Sequence, residues 1–118
     1  MKLALCICGL TNNYEESFPK LKSKLLVHNN IDIYIHAWET NESRIEDIKE
    51  KYKPVKFIFE PPKSFSSELK DYKLNYSEDA LFKPLSYAYS RQTCFNLIDK
   101  KYDGIVSLNV LNVALVVE

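Results

Sequence analysis

The first residues whose types could do chemistry follow the first apolar segment of the chain. Residues 2–8 are apolar on both faces, and Gly9 then stands where the backbone needs a positive φ or a close approach to a ligand. The short polar side chains and backbone amides that follow could cradle a phosphate or a ribose. The alternative is an ordinary strand-to-helix turn with polar capping residues, because one glycine is a weak motif. The candidate binding residues in this segment are Gly9, Leu10, Thr11, Asn12 and Tyr14.

A second group of candidate side chains lies at the end of the next β-branched and aromatic segment: His36, Trp38 and Glu39. Trp38 could stack on a base or a sugar, and Glu39 could bond a ribose hydroxyl. Alternatively, Trp38 fills an edge of the core and Glu39 is solvated. His36 lies within the apolar alternation of the segment, which favours a structural histidine over a catalytic one.

Arg91 is the remaining candidate. It lies in a helical segment, residues 87–94, that brings hydroxyls and a guanidinium together, and it could reach a diphosphate. A surface salt bridge is the commoner role for such an arginine. The sequence has no Ser-His-Asp order, no P-loop and no repeated glycine fingerprint. Nothing in it therefore favours nucleophilic hydrolysis, phosphoryl transfer or dinucleotide redox chemistry.

The elements that must position these residues alternate between strands and helices. Patterning predicts strands at 2–8, 31–36 and 55–59 and a fourth strand from Gly104, with helices near 17–28, 42–52 and 84–101. With right-handed crossovers, this order predicts an α/β fold: a three-layer, Rossmann-like sandwich whose mainly parallel sheet has about four strands. Such a sheet binds its ligand at the carboxyl ends of its strands, which is where most of the candidates lie.

Prolines and capping residues set the predicted helix boundaries. Pro19 and Pro84 are each placed in the first turn of a helix, where proline is favoured. Asn41 or Ser43 can cap the middle helix. Residues 64–83 show no sustained period and are predicted to form a long loop with at most one short helix. That loop is either a lid over a ligand or a mobile surface excursion.

Length and composition indicate one domain without a polyanionic partner. The 118 residues suit a single domain, and 16 basic and 16 acidic residues leave no net charge. Nonspecific binding to nucleic acid and attraction to an anionic membrane surface are therefore not expected. Cys6 and Cys8 point to one buried face, and without a second cysteine pair no structural zinc site is expected. Free thiols favour a reducing compartment, so the predicted location is cytoplasmic.

Neither end of the chain predicts membrane targeting. The apolar run at the amino terminus is followed at once by polar and acidic residues without a cleavage site, so no signal peptide is expected. The apolar run at residues 104–117 contains regular polar residues and is shorter than the roughly 20 residues that a spanning helix needs.

Several short segments together resemble the amino-terminal half of small glycosyltransferase-like proteins of bacterial and viral surface-polysaccharide synthesis. The matching segments are 3–14, Phe18-Pro19, 32–38, 60–62, Tyr89-Ser90 with Cys94 and Leu97, and Tyr102-Asp103. Each is short, but they occur in the family's order over nearly the whole chain. The resemblance implies a GT-A type fold that binds a nucleotide-sugar donor, with the candidate residues named above nearest the nucleotide.

The chain differs from that family at the positions where the family binds its metal ion. Such enzymes commonly use acidic residues at the end of the fourth strand to bind Mg²⁺ or Mn²⁺ on the nucleotide diphosphate. This chain has Asn109 and Asn112 there, and Asn12 where the family usually has an arginine. The family also continues into an acceptor-binding half, which we expect to be missing here. The resemblance thus implies a nucleotide-sugar and a divalent ion, but the usual acidic metal site is not found and no catalytic base can be named.

Two functions follow as hypotheses. The first is a glycosyltransferase-like domain that binds a nucleotide-sugar donor for glycan synthesis, with a glycan acceptor if it is active; the departures argue against activity in this form. The second is a non-catalytic α/β module that binds a nucleotide or a protein. It would self-associate through an apolar edge strand at residues 113–117.

Overall fold

The computed structural model describes residues 2–11, 14–26, 30–62, 78–109 and 115–117. The strands are β1 (Lys2–Leu10), β2 (Asn30–Trp38), β3 (Lys56–Glu60), β4 (Gly104–Asn109) and β5 (Leu115–Val117). The helices are α1 (Tyr14–Leu21), which continues as a π-helical turn (Lys22–Leu26), α2 (Glu42–Tyr52) and α3 (Glu78–Asn96).

The strands form one sheet in the order β3-β2-β1-β4-β5. The first four strands are parallel, and β5 pairs with β4 in the antiparallel direction. Buried residues of α1 and α2 pack on one face of the sheet, and Cys94 of α3 packs on the other. The predicted three-layer α/β sandwich with a mainly parallel sheet is confirmed. The described residues add β5 to the four predicted strands.

The alternation of side chains along β1 explains how both faces are covered. Leu5 and Ile7 join the core beneath α1 and α2, whereas Cys6 and Cys8 face α3. All four are almost fully buried, as expected of a parallel strand with helices on both sides.

Helix α2 has the predicted bounds. Asn41 caps it by accepting a hydrogen bond from the backbone N–H of Arg44, and Lys53 ends it in the left-handed conformation at φ 48°. Pro54 follows and prevents continuation.

The predicted starts of the other two helices were wrong. Helix α1 begins at Tyr14, so Pro19 lies inside it, and Glu15 and Glu16 occupy the first turn, where negative charge is favourable. Helix α3 begins at Glu78, so Pro84 also lies inside a helix. Packing of α3 on the sheet outweighs the local preference of proline for a first turn.

The last helix also ends earlier than predicted, at Asn96 rather than near residue 101. The backbone N–H groups of Leu97 and Ile98 turn back to the carbonyls of Cys94 and Phe95, which tightens the chain after the helix. Leu97 and Ile98 still pack on the core, so their apolar character reflects burial outside the helix. Of the predicted loop 64–83, residues 78–83 are helical and the remainder lies outside the described residues.

Candidate functional site

The strand order creates a switch point between β1 and β4. From β1 the chain adds β2 and β3 on one side, and it then crosses to place β4 on the other side. In open parallel sheets, ligands bind in the crevice outside the carboxyl ends of the two strands at such a point. Gly9, Leu10 and Thr11 lie at that end of β1, so the structure brings three of the predicted residues to the switch point.

The backbone at the end of β1 has an unusual conformation. Gly9 has a φ of 109°, which side chains other than glycine rarely tolerate. Thr11 is buried, and its carbonyl accepts the first N–H of α1, from Tyr14. Asn12 lies outside the described residues.

Glu39 connects the end of β2 to this turn. Its Oε1 accepts a hydrogen bond from Oγ1 of Thr11 at 2.5 Å, and Arg44 lies 3.4 Å from the same oxygen. Its Oε2 accepts the backbone N–H groups of Thr40 and Asn41. Partial burial opposes ionisation, but the hydrogen bonds, first that from Thr11, outweigh it and lower the pKa of Glu39. The group is therefore a carboxylate, with only 11 % of its side chain exposed.

Trp38 is buried rather than presented to solvent. Its indole stacks on the ring of Tyr89 from α3, with centroids 5.4 Å apart, and His36 meets it edge-on at 4.8 Å. The stacking position predicted for a base is thus taken, on one face, by Tyr89. Within the described part of the chain, the buried indole Nε1 has no hydrogen-bond acceptor. An unpaired buried donor costs about 1–3 kcal/mol of folding free energy.

His36 belongs to a buried network that joins three strands to α3. Oγ of Ser90 lies 2.5 Å from Nδ1 of His36 and accepts the backbone N–H of Gly9 at 3.0 Å. The other ring nitrogen, Nε2, lies 3.5 Å from Oε1 of Glu60. Desolvation lowers the pKa of His36, and the Glu60 carboxylate opposes that shift only in part.

The order Ser90, His36, Glu60 resembles a nucleophilic triad, but its surroundings give it a different role. Ser90 and His36 are both fully buried. The serine oxygen already accepts the N–H of Gly9 and lies 3.3 Å from the carbonyl of His36. A hydroxyl engaged by three partners in this way holds the turn at Gly9 in place, so we assign the network a structural role.

Arg91 lies on the α3 side of the sheet, close to the end of β1. Its guanidinium lies over the ring of Phe95 at 5.2 Å, and its charge also acts on the Cys8 thiol. Burial nevertheless raises the pKa of Cys8 to about 12, so this thiol is neutral and is not an activated nucleophile.

The structure separates the Tyr14 side chain from the candidates His36, Trp38 and Arg91. Tyr14 packs with the core under α1 and α2, on the opposite face of the sheet from His36 and Ser90. Its hydroxyl donates to Asp47 at 2.6 Å, and its carbonyl accepts from Tyr52. Tyr14 therefore holds α1 to α2.

Sequence reasoning missed Glu60, Tyr89 and Ser90 as site residues. Glu60 could have been found because it ends a strand of the parallel sheet directly before two prolines, at the end of the strands where parallel sheets commonly bind ligands. Tyr89 and Ser90 were included in the family resemblance but not assigned to the site. Nothing in the local pattern shows that they face β1 and β2.

The described residues do not fit the divalent ion that the resemblance implies. They contain no group of three or more histidine, cysteine, aspartate or glutamate side chains able to hold a metal. Glu39 alone offers a carboxylate at the turn, and its oxygens are already engaged. No step of the proposed chemistry is therefore assigned to a metal. The described helices also include none long and apolar enough to cross a membrane.

Comparison of the chain with protein-family models, with curated proteins and with solved structures finds no match.

Proposed function

We propose that this chain is a glycosyltransferase-like α/β domain that binds a nucleotide-sugar donor at the carboxyl ends of its parallel strands. The observation that carries the proposal is the convergence of Gly9, Thr11 and Glu39 on the β1 side of the switch point. A turn with positive φ lets a ligand approach the backbone closely, and the Glu39 carboxylate holds that turn in place through its hydrogen bond from Thr11. The family resemblance supplies the nucleotide-sugar as the class of ligand.

The site favours binding over turnover. Ser90, His36 and Cys8 are buried and Glu39 is held by four donors, so none of these four groups is free to act as a nucleophile or a general base. We therefore propose donor binding as the retained activity.

The test is thermal unfolding with uridine and guanosine diphosphate sugars, with and without Mn²⁺, because a ligand that binds only the folded state raises its stability. We expect a rise in Tm that depends on nucleotide concentration. The Glu39→Gln variant should lose most of this rise, because a neutral amide binds the Thr11 hydroxyl and the backbone N–H groups less strongly and so holds the turn less firmly. Glu46→Gln is the matched control, because Glu46 is 73 % exposed on α2. A folded protein with no rise for any nucleotide contradicts the proposal.

A second function, self-association as a non-catalytic module, is favoured by one observation. Strand β5 (Leu115–Val117) ends the order of the described sheet and pairs with β4 alone, and an apolar strand at an edge can pair with another chain. Substitution of Val116 by lysine should then lower the oligomer size measured by light scattering. A monomeric parent protein contradicts this second function and leaves the first untouched.

A further inference from the structure

We propose that the indole N–H of Trp38 donates a hydrogen bond to a neutral oxygen of the nucleoside, while the diphosphate lies at the switch point between β1 and β4. This inference rests on the proposed function and orients the ligand within the same site. It assigns Trp38 a role through its N–H group instead of the stacking role that its sequence position suggested.

The N–H of Trp38 is the part of the indole that still needs a hydrogen-bond partner. Tyr89 covers a face of the indole and His36 contacts it edge-on. Trp38 is only 5 % exposed, and among the described residues its Nε1 has no acceptor. Buried donors in native structures are nearly always paired, so an unpaired one at a ligand-binding edge indicates a missing acceptor. An oxygen of a bound ligand is such an acceptor.

The register of the sheet places this donor one strand away from the switch point. Trp38 is the last residue of β2, with Leu10 of β1 on one side and Glu60 of β3 on the other. A diphosphate between β1 and β4 therefore leaves the ends of β2 and β3 for the attached nucleoside. Adjacent strands lie about 4.8 Å apart, a spacing that a ribose or a base can span.

The negative charge beside Trp38 determines which kind of ligand oxygen can accept its N–H. Glu60 is its neighbour in β3 and contacts His36 on the same face of the sheet. A carboxylate next to the donor repels phosphoryl oxygens. A carbonyl of the base or a hydroxyl of the ribose carries no charge and avoids this repulsion. The donor should therefore discriminate nucleosides from simple phosphates.

Trp38 is the only tryptophan of the chain, so its N–H gives a single indole resonance in a nitrogen–proton correlation spectrum. The probes are uridine diphosphate, guanosine diphosphate and inorganic diphosphate, each titrated into the full chain. We expect one of the nucleotides to move the indole resonance downfield, as a new hydrogen bond does, and to move the amides of Gly9 and Thr11. Inorganic diphosphate should move those amides and leave the indole unchanged. Because the N–H is covered, the ring signals of Tyr89 should shift together with it.

The outcomes separate this inference from the proposed function. Nucleotide binding that moves Gly9 and Thr11 but leaves the indole in place overturns the inference and preserves the function. Spectra that no probe changes overturn both. An indole shift with inorganic diphosphate overturns the proposed orientation.

A matched pair of variants measures the contribution of the donor. Trp38→Phe removes the N–H but keeps an aromatic ring against Tyr89, and we expect it to weaken nucleotide binding about tenfold, the effect of one hydrogen bond. Tyr102→Phe removes a hydroxyl that donates to Asp32 near the amino-terminal end of β2, away from the proposed site. This variant should leave the nucleotide affinity unchanged. An unchanged affinity in folded Trp38→Phe protein contradicts the inference.

Discussion

The hydroxyl of Thr11 donates to the carboxylate of Glu39 over 2.5 Å, and this contact joins the turn after β1 to the end of β2. The two residues are separated by 28 positions, and the contact involves a buried hydroxyl and a carboxylate with little exposure. Hydrogen bonds to charged groups are stronger than neutral ones. This pair therefore fixes the geometry of the edge where we place the ligand.

Removing the hydroxyl of Thr11 should destabilise the contact between the turn after β1 and the end of β2. We expect Thr11→Val, which keeps the shape of the side chain, to lower the free energy of unfolding by about 1–3 kcal/mol. The pKa of Glu39 should rise, because the hydrogen bond from Thr11 lowers it more than any other hydrogen bond does. Urea unfolding and a carboxyl titration by nuclear magnetic resonance measure the two effects. Thr40→Val is the control, since the Thr40 side chain is exposed and only its backbone N–H contacts Glu39.

Ser90 should matter for stability through two buried partners. Ser90→Ala leaves the N–H of Gly9 and Nδ1 of His36 without their shared partner, so we expect a loss of about 1–3 kcal/mol. Hydrogen exchange at the Gly9 amide should accelerate. Gln92→Ala, on an exposed position of the same helix, should change stability by less than about 0.5 kcal/mol. Equal effects of the two variants contradict the network.

The buried His36 predicts a loss of stability on mild acidification. Because desolvation lowers its pKa in the folded state, the unfolded chain binds a proton first, near its ordinary value of about 6.5. The contribution of neutral His36 to the free energy of unfolding is therefore complete above that pH. It is lost as the pH falls toward the folded-state pKa of His36, by at most about 1.4 kcal/mol per pH unit.

Urea unfolding between pH 5.5 and 8 tests this dependence. His36→Gln should flatten the curve in that window, whereas Gln92→Ala, at an exposed position of α3, should keep it. If the variant is unstable, a direct titration of the His36 ring in the parent protein tests whether its folded-state pKa is lowered. A folded-state pKa above 6.5 contradicts the prediction.

The two glycines should respond differently to alanine. Gly9→Ala forces a side chain onto a residue with φ 109°, and we expect a cost of about 1–3 kcal/mol. At Gly104 the added Cβ would lie 3.1 Å from Cδ2 of Leu3, a flexible group that can move by a few tenths of an ångström. Gly104→Ala should therefore cost less than Gly9→Ala in the same unfolding experiment. The reverse order contradicts a special conformation at Gly9.

Much of the fold follows from local pattern. The apolar strand at residues 2–8 and the amphipathic segment of α2, with its Asn41 cap, each carry a period or a capping signal of their own. The starts of α1 and α3 could not be predicted in this way, because Pro19 and Pro84 favour a first turn locally but lie inside helices that pack on the sheet.

For the site, the sequence by itself determined which residues stand at strand ends: Gly9 and Thr11 lie at the end of β1, and Trp38 and Glu39 lie at the end of β2. Only the tertiary structure decided their partners. Contacts such as Ser90 with Gly9, Tyr89 with Trp38 and Glu60 with His36 join elements far apart in the chain, and no local period encodes them. Burial then decided their chemistry, because removing water favours the neutral forms of His36 and Cys8.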